Sequence, residues 1–414
     1  MKWIAAVAAT LALAVISGSA RLSGATAAEL FDASRLQRID LDLHFADWAK
    51  LKQNFQSNEY YPADLTWNGE TVRNVAIRSR GVASRSGTKP GLRVDFDHYA
   101  TDQTFLGLKS LVLDNLAQDA SGIHETVSNW LFARMGIPAA REAHARLYVR
   151  GEFAGVYALV ESIDKTMLAR VFGSNGDDVL NDGYLYEFDK AAIWNFGYLG
   201  SDLEPYKAYF QAKTHESQSD EDKYRLIERI VRLANETPPA DLTAALGPYL
   251  DLNGLVRYLA VQNFLADNDG FLGEFGVNNF YLYRLEHSEQ HVFIAWDDDL
   301  SFHEPIYDIF QGVQGNVLAS RLLENRTYLT LYLATLQETV DSADKRTNGS
   351  QIGVLEEEIR RQIGLIDASM LEDPLKPWSQ TDYITERDLM IRFAPQRVRY
   401  VGCEVARLTG APPC

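Results

Sequence analysis

Six residues with the chemistry to hold a cation or move a proton, Asp267, Asp269, Asn279, Asp297, Asp298 and Asp299, flank two short apolar runs in residues 264–302. The runs, 279–283 and 291–296, are rich in aromatic and β-branched residues and have strand length. The polar stretch 285–290 between them predicts a hairpin. In a hairpin Asn279 opens one strand while Asp297 and Asp299 follow the other, so all three meet at one end of the ladder. Alternation sends Asp297 and Asp299 to one side and Asp298 to the other. Hard oxygen donors that converge in this way suit Mg²⁺ or Mn²⁺. The same residue types also build turns, so Asp267-Asn268-Asp269-Gly270 reads equally as a turn and 297–299 as a solvated loop. Trp296 and Phe302 bracket the aspartates with large apolar groups, and that burial favours a site.

A second constellation is cationic. Residues 73–93 carry Arg73, Arg78, Arg80, Arg85, Lys89 and Arg93 with no acidic residue, in a chain whose formal net charge is -17. Within it the Gly- and Ser-rich loop 79–89 offers backbone N–H groups, hydroxyls such as that of Ser84, and positive charge, the components that hold a polyphosphate. Surface loops use these residues too. Glu161, just after the apolar run 156–160, is placed to pair with Lys89 and hold it toward phosphate, although a solvated Glu is the commoner occurrence. A cationic cradle combined with a divalent-metal site is what phosphoryl transfer from a nucleotide demands. The chain has no Walker-type loop, no His-Arg-Asp or Asp-Phe-Gly, no Gly-x-Ser-x-Gly and no His-Glu-x-x-His.

The elements that must position these groups follow from periodicity. Alternation predicts a strand in 36–47 leading to a short helix at 48–54, then strands at 63–67, 72–78, 92–96 and 110–114, an antiparallel sheet early in the chain. A helix is expected at 123–135, ended by Gly136 and Pro138, followed by a hairpin of 147–149 with 156–160 across Arg150-Gly151-Glu152. Segment 175–202, rich in Gly, Asp, Asn and aromatic residues, reads as a connection or an insertion. Helical spacing dominates afterwards, at 224–233, 239–246, 252–264, 318–340, 354–370 and 387–408. A sheet-rich first half and a helix-rich second half predict an α+β protein of two lobes with a cleft between them.

Met1-Lys2, the apolar run 3–16 and Ala25-Thr26-Ala27 read as a secretory signal peptide over 1–27, with cleavage after Ala20 as a second possibility. An anchor is disfavoured because the run is shorter than the ~20 residues a bilayer requires. The expectation is a secreted or periplasmic protein with no membrane span. The acidic balance argues against nucleic acid as a partner. The two cysteines, Cys403 and Cys414, are close enough in sequence to pair in an oxidising compartment, and two free thiols are the alternative.

Taken in order, several segments resemble the CotH kinase family, named after spore coat protein H. They are 77–84 with Lys89, 147–157, 160–164, Asp269-Gly270 with 279–283, and Trp296-Asp297-Asp298-Asp299. The resemblance spans nearly the whole chain from about residue 36. It implies an atypical protein-kinase-like fold, with an N-lobe over about 36–165 and a C-lobe over about 205–414, that uses ATP and a divalent metal to phosphorylate Ser or Thr of a protein acceptor. It also implies roles: Lys89 on the nucleotide phosphates with Glu161 orienting it, Arg80 as a further phosphate contact, Asp269 as the catalytic carboxylate, Asn279 and Asp297 as metal ligands, and Asp299 completing or supporting that shell. Asp298 and Pro90-Gly91 depart from the usual family pattern. The alternatives are a catalytically silent binding or adhesion module on the same fold, or an enzyme transferring AMP or another group from a nucleotide.

Overall fold

Alternating apolar and polar side chains bury one face of each strand, and over the first 161 residues that pattern closes on itself. In the computed structural model, which describes residues 25–175, 178–347 and 349–412, seven strands form a barrel: β1 (Gln37–Asp42), β2 (Tyr61–Trp67), β3 (Glu70–Ser79), β4 (Leu92–Asp95), β5 (Ser110–Asp114), β6 (Glu142–Val149) and β7 (Glu152–Glu161). The order around it is β1-β2-β3-β4-β5-β7-β6. All neighbours are antiparallel except β1 and β6, where Ile39 lies beside Leu147 in parallel register. The expected antiparallel sheet is therefore shut by one parallel pair, which leaves no open edge. Helices α1 (Ala27–Leu30), α2 (Phe45–Gln53), α3 (His124–Arg134) and α4 (Lys165–Phe172) decorate this region.

Strand β7 is covered on both faces, so it reads as an almost unbroken apolar run. Tyr157 and Leu159 join the barrel core with Leu41, Ile77 and Leu113, whereas Val156, Ala158 and Val160 belong to the larger core of the helical region. After the short strands β8 (Ser174–Asn175) and β9 (Asp178–Val179), the segment that sequence left uninterpreted supplies β10 (Tyr184–Phe188), followed by α5 (Glu204–Tyr209) and β11 (Phe210–Ala212). These two strands extend the central hairpin, β12 (Phe280–Arg284) and β13 (His291–Ala295), into a four-stranded antiparallel sheet ordered β11-β10-β12-β13.

The remainder is helical: α6 (Asp220–Glu236), α7 (Leu242–Leu246), α8 (Leu252–Phe264), α9 (Val317–Leu323), α10 (Arg326–Asp344), α11 (Val354–Glu372) and α12 (Gln380–Thr409). The single helix expected at 318–340 is two, because the Asn325 side chain accepts from the Thr327 N–H at 2.9 Å and starts α10 afresh. The chain is thus mixed α+β, sheet-rich before β12 and helical towards its C-terminus. No helix among the described residues is long and apolar enough to cross a membrane. The expected signal peptide falls almost wholly on residues 1–24, and the expected disulfide on Cys414, all outside the described residues.

A buried ion pair ties the barrel to the helices. The Lys89 ammonium donates to Asp373 Oδ2 at 2.8 Å, and both side chains are sealed from solvent. The same oxygen accepts the Val156 N–H at 3.0 Å, and Oδ1 accepts the Leu375 N–H at 2.8 Å. Gly155, at φ +118°, makes room: a Cβ there would stand 2.5 Å from Asp373 Oδ2. Removing one partner of such a pair strands a charge in the interior. Asp373→Ala should cost about 3–5 kcal/mol in urea unfolding, with the midpoint shifting and the slope unchanged.

A second buried acid lies between β6 and α3. Burial pushes the Glu142 carboxyl up to about 7, against hydrogen bonds from Thr126 and Asn129 that favour its ionised form. The folded state therefore holds this proton more tightly than the unfolded chain. The stabilisation is complete below the ordinary carboxylate range and is lost as pH rises through about 7. Melting temperatures of wild type and Glu142→Gln, compared between about pH 5 and 8, should move in the variant's favour as pH rises.

Candidate active site

The site is assembled at the end of the β12–β13 hairpin, where α8 runs out and loop 265–279 returns to the sheet. Register pairs Phe280 with Ala295, which sets Asn279 beside the residues that follow β13. The Asn279 amide nitrogen donates to the Asp297 carbonyl at 3.0 Å and to Asp269 Oδ2 at 3.3 Å. Its amide oxygen is left available. Asp269 Oδ2 also accepts from Asn278 Nδ2 at 3.0 Å, and on its other edge Oδ1 lies 3.5 Å from Lys190 Nζ.

From the barrel side, Arg80 follows β3 and reaches Asp114 Oδ2 at 3.4 Å while its guanidinium lies 5.7 Å from the Trp296 ring centroid. Burial works against its charge, but Asp114, Asp297, Glu125 and Glu187 more than offset this and hold the group more basic than usual. An array therefore runs by direct contact from Lys190 through Asp269 and Asn279 to the Asp297 backbone carbonyl, and is linked to Arg80, which pairs with Asp114, by charge alone. Asp297 is its centre: burial lifts its carboxyl to about 6, Arg80 opposes the rise, and Asp114, Asp269 and Glu187 add to it.

The backbone here is unusual. Ala266, Asn279, Asp297 and Phe302 all have left-handed φ, between 54° and 61°, without being glycine. Such conformations persist only where surroundings enforce them, and they gather at functional sites. Strand β13 ends at Ala295, so Asp297 to Asp299 occupy a loop and not the strand extension that alternation assumed. Asp298 is fully buried toward Asp267 and Tyr258, while Asp299 lies near Asp297, Asp114 and Asp119. Burial, then repulsion from Asp267 and Asp297 at Asp298 and from Asp297, Asp114 and Asp119 at Asp299, raises both carboxyls well above the ordinary range. Asp267 Oδ1 accepts the Asp269 N–H at 3.1 Å. A Cβ on Gly270 would stand 2.0 Å from Asp267 Oδ2 and 2.1 Å from Gln262 Nε2, so a larger residue there would displace both side chains.

The donor set suits a small divalent cation. Among the described residues no three His, Cys, Asp or Glu side chains enclose an ion. Mg²⁺ is commonly held by one or two carboxylates plus water and substrate phosphates instead of a protein cage. Asp297, Asp299 and the Asn279 amide oxygen match that pattern. Asp267 Oδ2 and both carboxyl oxygens of Asp298 are buried beside them with no protein donor.

Two sequence expectations are corrected. Glu161 does not orient Lys89: its carboxylate is taken by Arg141 and Arg170, each at 2.6 Å. Lys89 is withdrawn into the ion pair with Asp373 and its ammonium lies 5.0 Å from the Tyr157 ring, inside the protein and not at the mouth of the loop. Ser84 remains in the loop with Arg80, its carbonyl accepting from Asn115 Nδ2 at 2.8 Å. Sequence reading missed Asp114, Glu125, Glu187 and Lys190, which reach the site from β5, α3 and β10 with its following turn. Asp114 ends a predicted strand and was open to discovery, whereas nothing local marks the others.

Beneath the site Arg397 of α12 is fully buried. Its Nε donates to the Phe264 carbonyl at 2.9 Å, Nη1 to the carbonyls of Pro305 and Tyr307, and Nη2 to that of Asn263. Asn263 and Phe264 close α8, so the guanidinium satisfies the negative end of that helix. Burial lowers its pKa to about 10. Lysine cannot reproduce a planar fork. Arg397→Lys should lower stability by about 3 kcal/mol, measured by chemical denaturation.

A family model described as CotH kinase protein matches residues 77–401. The chain is 26% identical over 377 residues to the inner spore coat protein H of Bacillus subtilis (strain 168), covering 89% of this chain and 97% of that protein. Among solved structures, the HipA, HipB and operator DNA complex of Shewanella oneidensis MR-1 overlaps with a TM-score of 0.34 at 12% identity, covering 85% of this chain and 66% of that one. The Helicobacter pylori proinflammatory kinase CtkA overlaps with a TM-score of 0.30 at 9% identity, covering 77% and 95%. Overlaps this loose carry no argument.

Proposed function

Since the chain belongs to the CotH kinase family, we propose that it is a secreted or periplasmic phosphotransferase that moves the γ-phosphoryl group of ATP to a Ser or Thr hydroxyl of a protein. The observation that carries this reading is the run of contacts from Lys190 through Asp269 and Asn279 to the Asp297 backbone, with the charge of Arg80 acting on the Asp297 carboxyl from the barrel side. In this reading the barrel region, about 36–165, is an N-lobe and the helical region, about 205–414, a C-lobe, with the nucleotide between them. Arg80 grips the phosphates with Ser84 in the same loop. Lys89, bound by Asp373, anchors the base of that loop.

Asp297 and Asn279, with Asp299 beside them, would hold Mg²⁺ or Mn²⁺, which when bound would neutralise phosphate charge. Asp269 orients the acceptor hydroxyl and takes its proton, held in place by the two Asn amides on Oδ2. Positioning and charge stabilisation account for the chemistry, with no covalent intermediate on the protein. Transfer of phosphate, and not of AMP, is read from the mass added to the acceptor.

MgATP should raise the melting temperature of wild type, and Asp297→Ala should abolish that shift. Asp269→Asn should keep the shift but lose transfer from radiolabelled ATP by about 10²–10⁴-fold. No shift with any nucleotide and metal pairing would sink the proposal.

A further inference from the structure

Resting on the phosphotransfer reading, we propose that Lys190 is a further catalytic residue: its ammonium contacts the phosphoryl group as that group passes to the acceptor held by Asp269. The lysine comes from the segment after β10, and that segment is firmly seated. The Asp189 N–H donates to the Tyr209 carbonyl at 2.8 Å, and the Val277 N–H to the Trp194 carbonyl at 2.8 Å. Trp194 stacks on Tyr209 and Phe196 at 4.9 Å. Lys190 therefore lies in a segment tied to its neighbours on either side, and its Nζ lies 5.0 Å from the Phe275 ring centroid.

Two features separate this lysine from a structural ion pair. Its contact with Asp269 Oδ1 is long, 3.5 Å, and its side chain is 28% exposed, so the three N–H donors are not consumed by the carboxylate. Lys89 is the contrast: at 2.8 Å from Asp373 and 2% exposed, it has no room for a ligand. The placement of the cations points the same way: Asp269 meets the amides of Asn278 and Asn279 on Oδ2 and Lys190 on Oδ1, while Arg80 stands apart at Asp114, 3.4 Å from its Oδ2. Lys190 supplies positive charge at the acceptor side.

In the step, the acceptor oxygen bonds to the γ-phosphorus while the bond from that phosphorus to the β,γ-bridging oxygen breaks. The bond pair leaves with the nucleoside diphosphate, and the hydroxyl proton passes to Asp269. Lys190 donates to a non-bridging oxygen of the moving group throughout.

The test uses the full chain with MgATP, reading phosphate release and transfer to dephosphorylated casein, alongside thermal shift. Lys190→Met should cut kcat by about a hundredfold while the KM for ATP and the MgATP-induced shift stay near wild type. Lys190→Arg, which keeps the charge, should recover about a tenth or more of the activity. If Lys190→Met turns over like wild type, or loses only ATP affinity, the inference is wrong. If wild type shows neither a MgATP shift nor phosphate release, the phosphotransfer reading falls and takes this inference with it.

Discussion

A guanidinium held by four carbonyl groups, with no carboxylate partner among the described residues, is an uncommon tenant of a protein interior, and the candidate site is built on one. Arg397 gathers the carbonyls that close α8 and those of Pro305 and Tyr307, so the last helix of the chain grips both arms of the loop system carrying Asp267 to Asn279 and Asp297 to Phe302. The Asn263 carbonyl also accepts the Ala266 N–H at 3.1 Å, and for the Phe264 and Tyr307 carbonyls the guanidinium supplies a donor in the interior. The cation in turn is tolerated because partial negative charges from a helix end replace its hydration. The left-handed residues Ala266, Asn279, Asp297 and Phe302 are carried on the segments so restrained. Strain at the top of the site and satisfied carbonyls beneath it are two sides of one arrangement.

The barrel contributes through a comparable device. Asp373, at the end of α11, accepts at once from Lys89, from the β7 backbone and from the turn that leads to α12. The loop bearing Arg80 is thereby referenced to the helical region at its base, while Arg80 itself faces Asp114 and Asp297. Cation and carboxylates that must act together are held by separate anchors, each buried and each far in sequence from what it holds.

Legibility in the sequence tracked this distance. The β12–β13 hairpin, the strand Ser110–Asp114 and helix α8 follow from local periodicity and appear with nearly the boundaries that periodicity gives. The partner of Lys89 lies 284 residues away, which no local pattern reveals, and Glu161 was the nearer but mistaken candidate. Arg397 sits in an ordinary-looking amphipathic helix, where arginine reads as solvated. Strand β10 is short, and its flanks are rich in Gly, Asp and Asn, so the composition of a loop concealed an element of the central sheet and with it Glu187 and Lys190. The family resemblance named Asp269, Asn279 and Asp297 from their motifs, but it could not supply the cation reaching them from outside those motifs.

The parallel seam between β1 and β6 also governs how the molecule can assemble. Ile39 waits for Leu147, and until the sixth strand has been made the first has an unpaired flank. Non-local pairing of this kind slows folding, because a long loop must be closed before any contact rewards it. The nascent N-terminal half consequently stays open and accessible while more than a hundred residues are added.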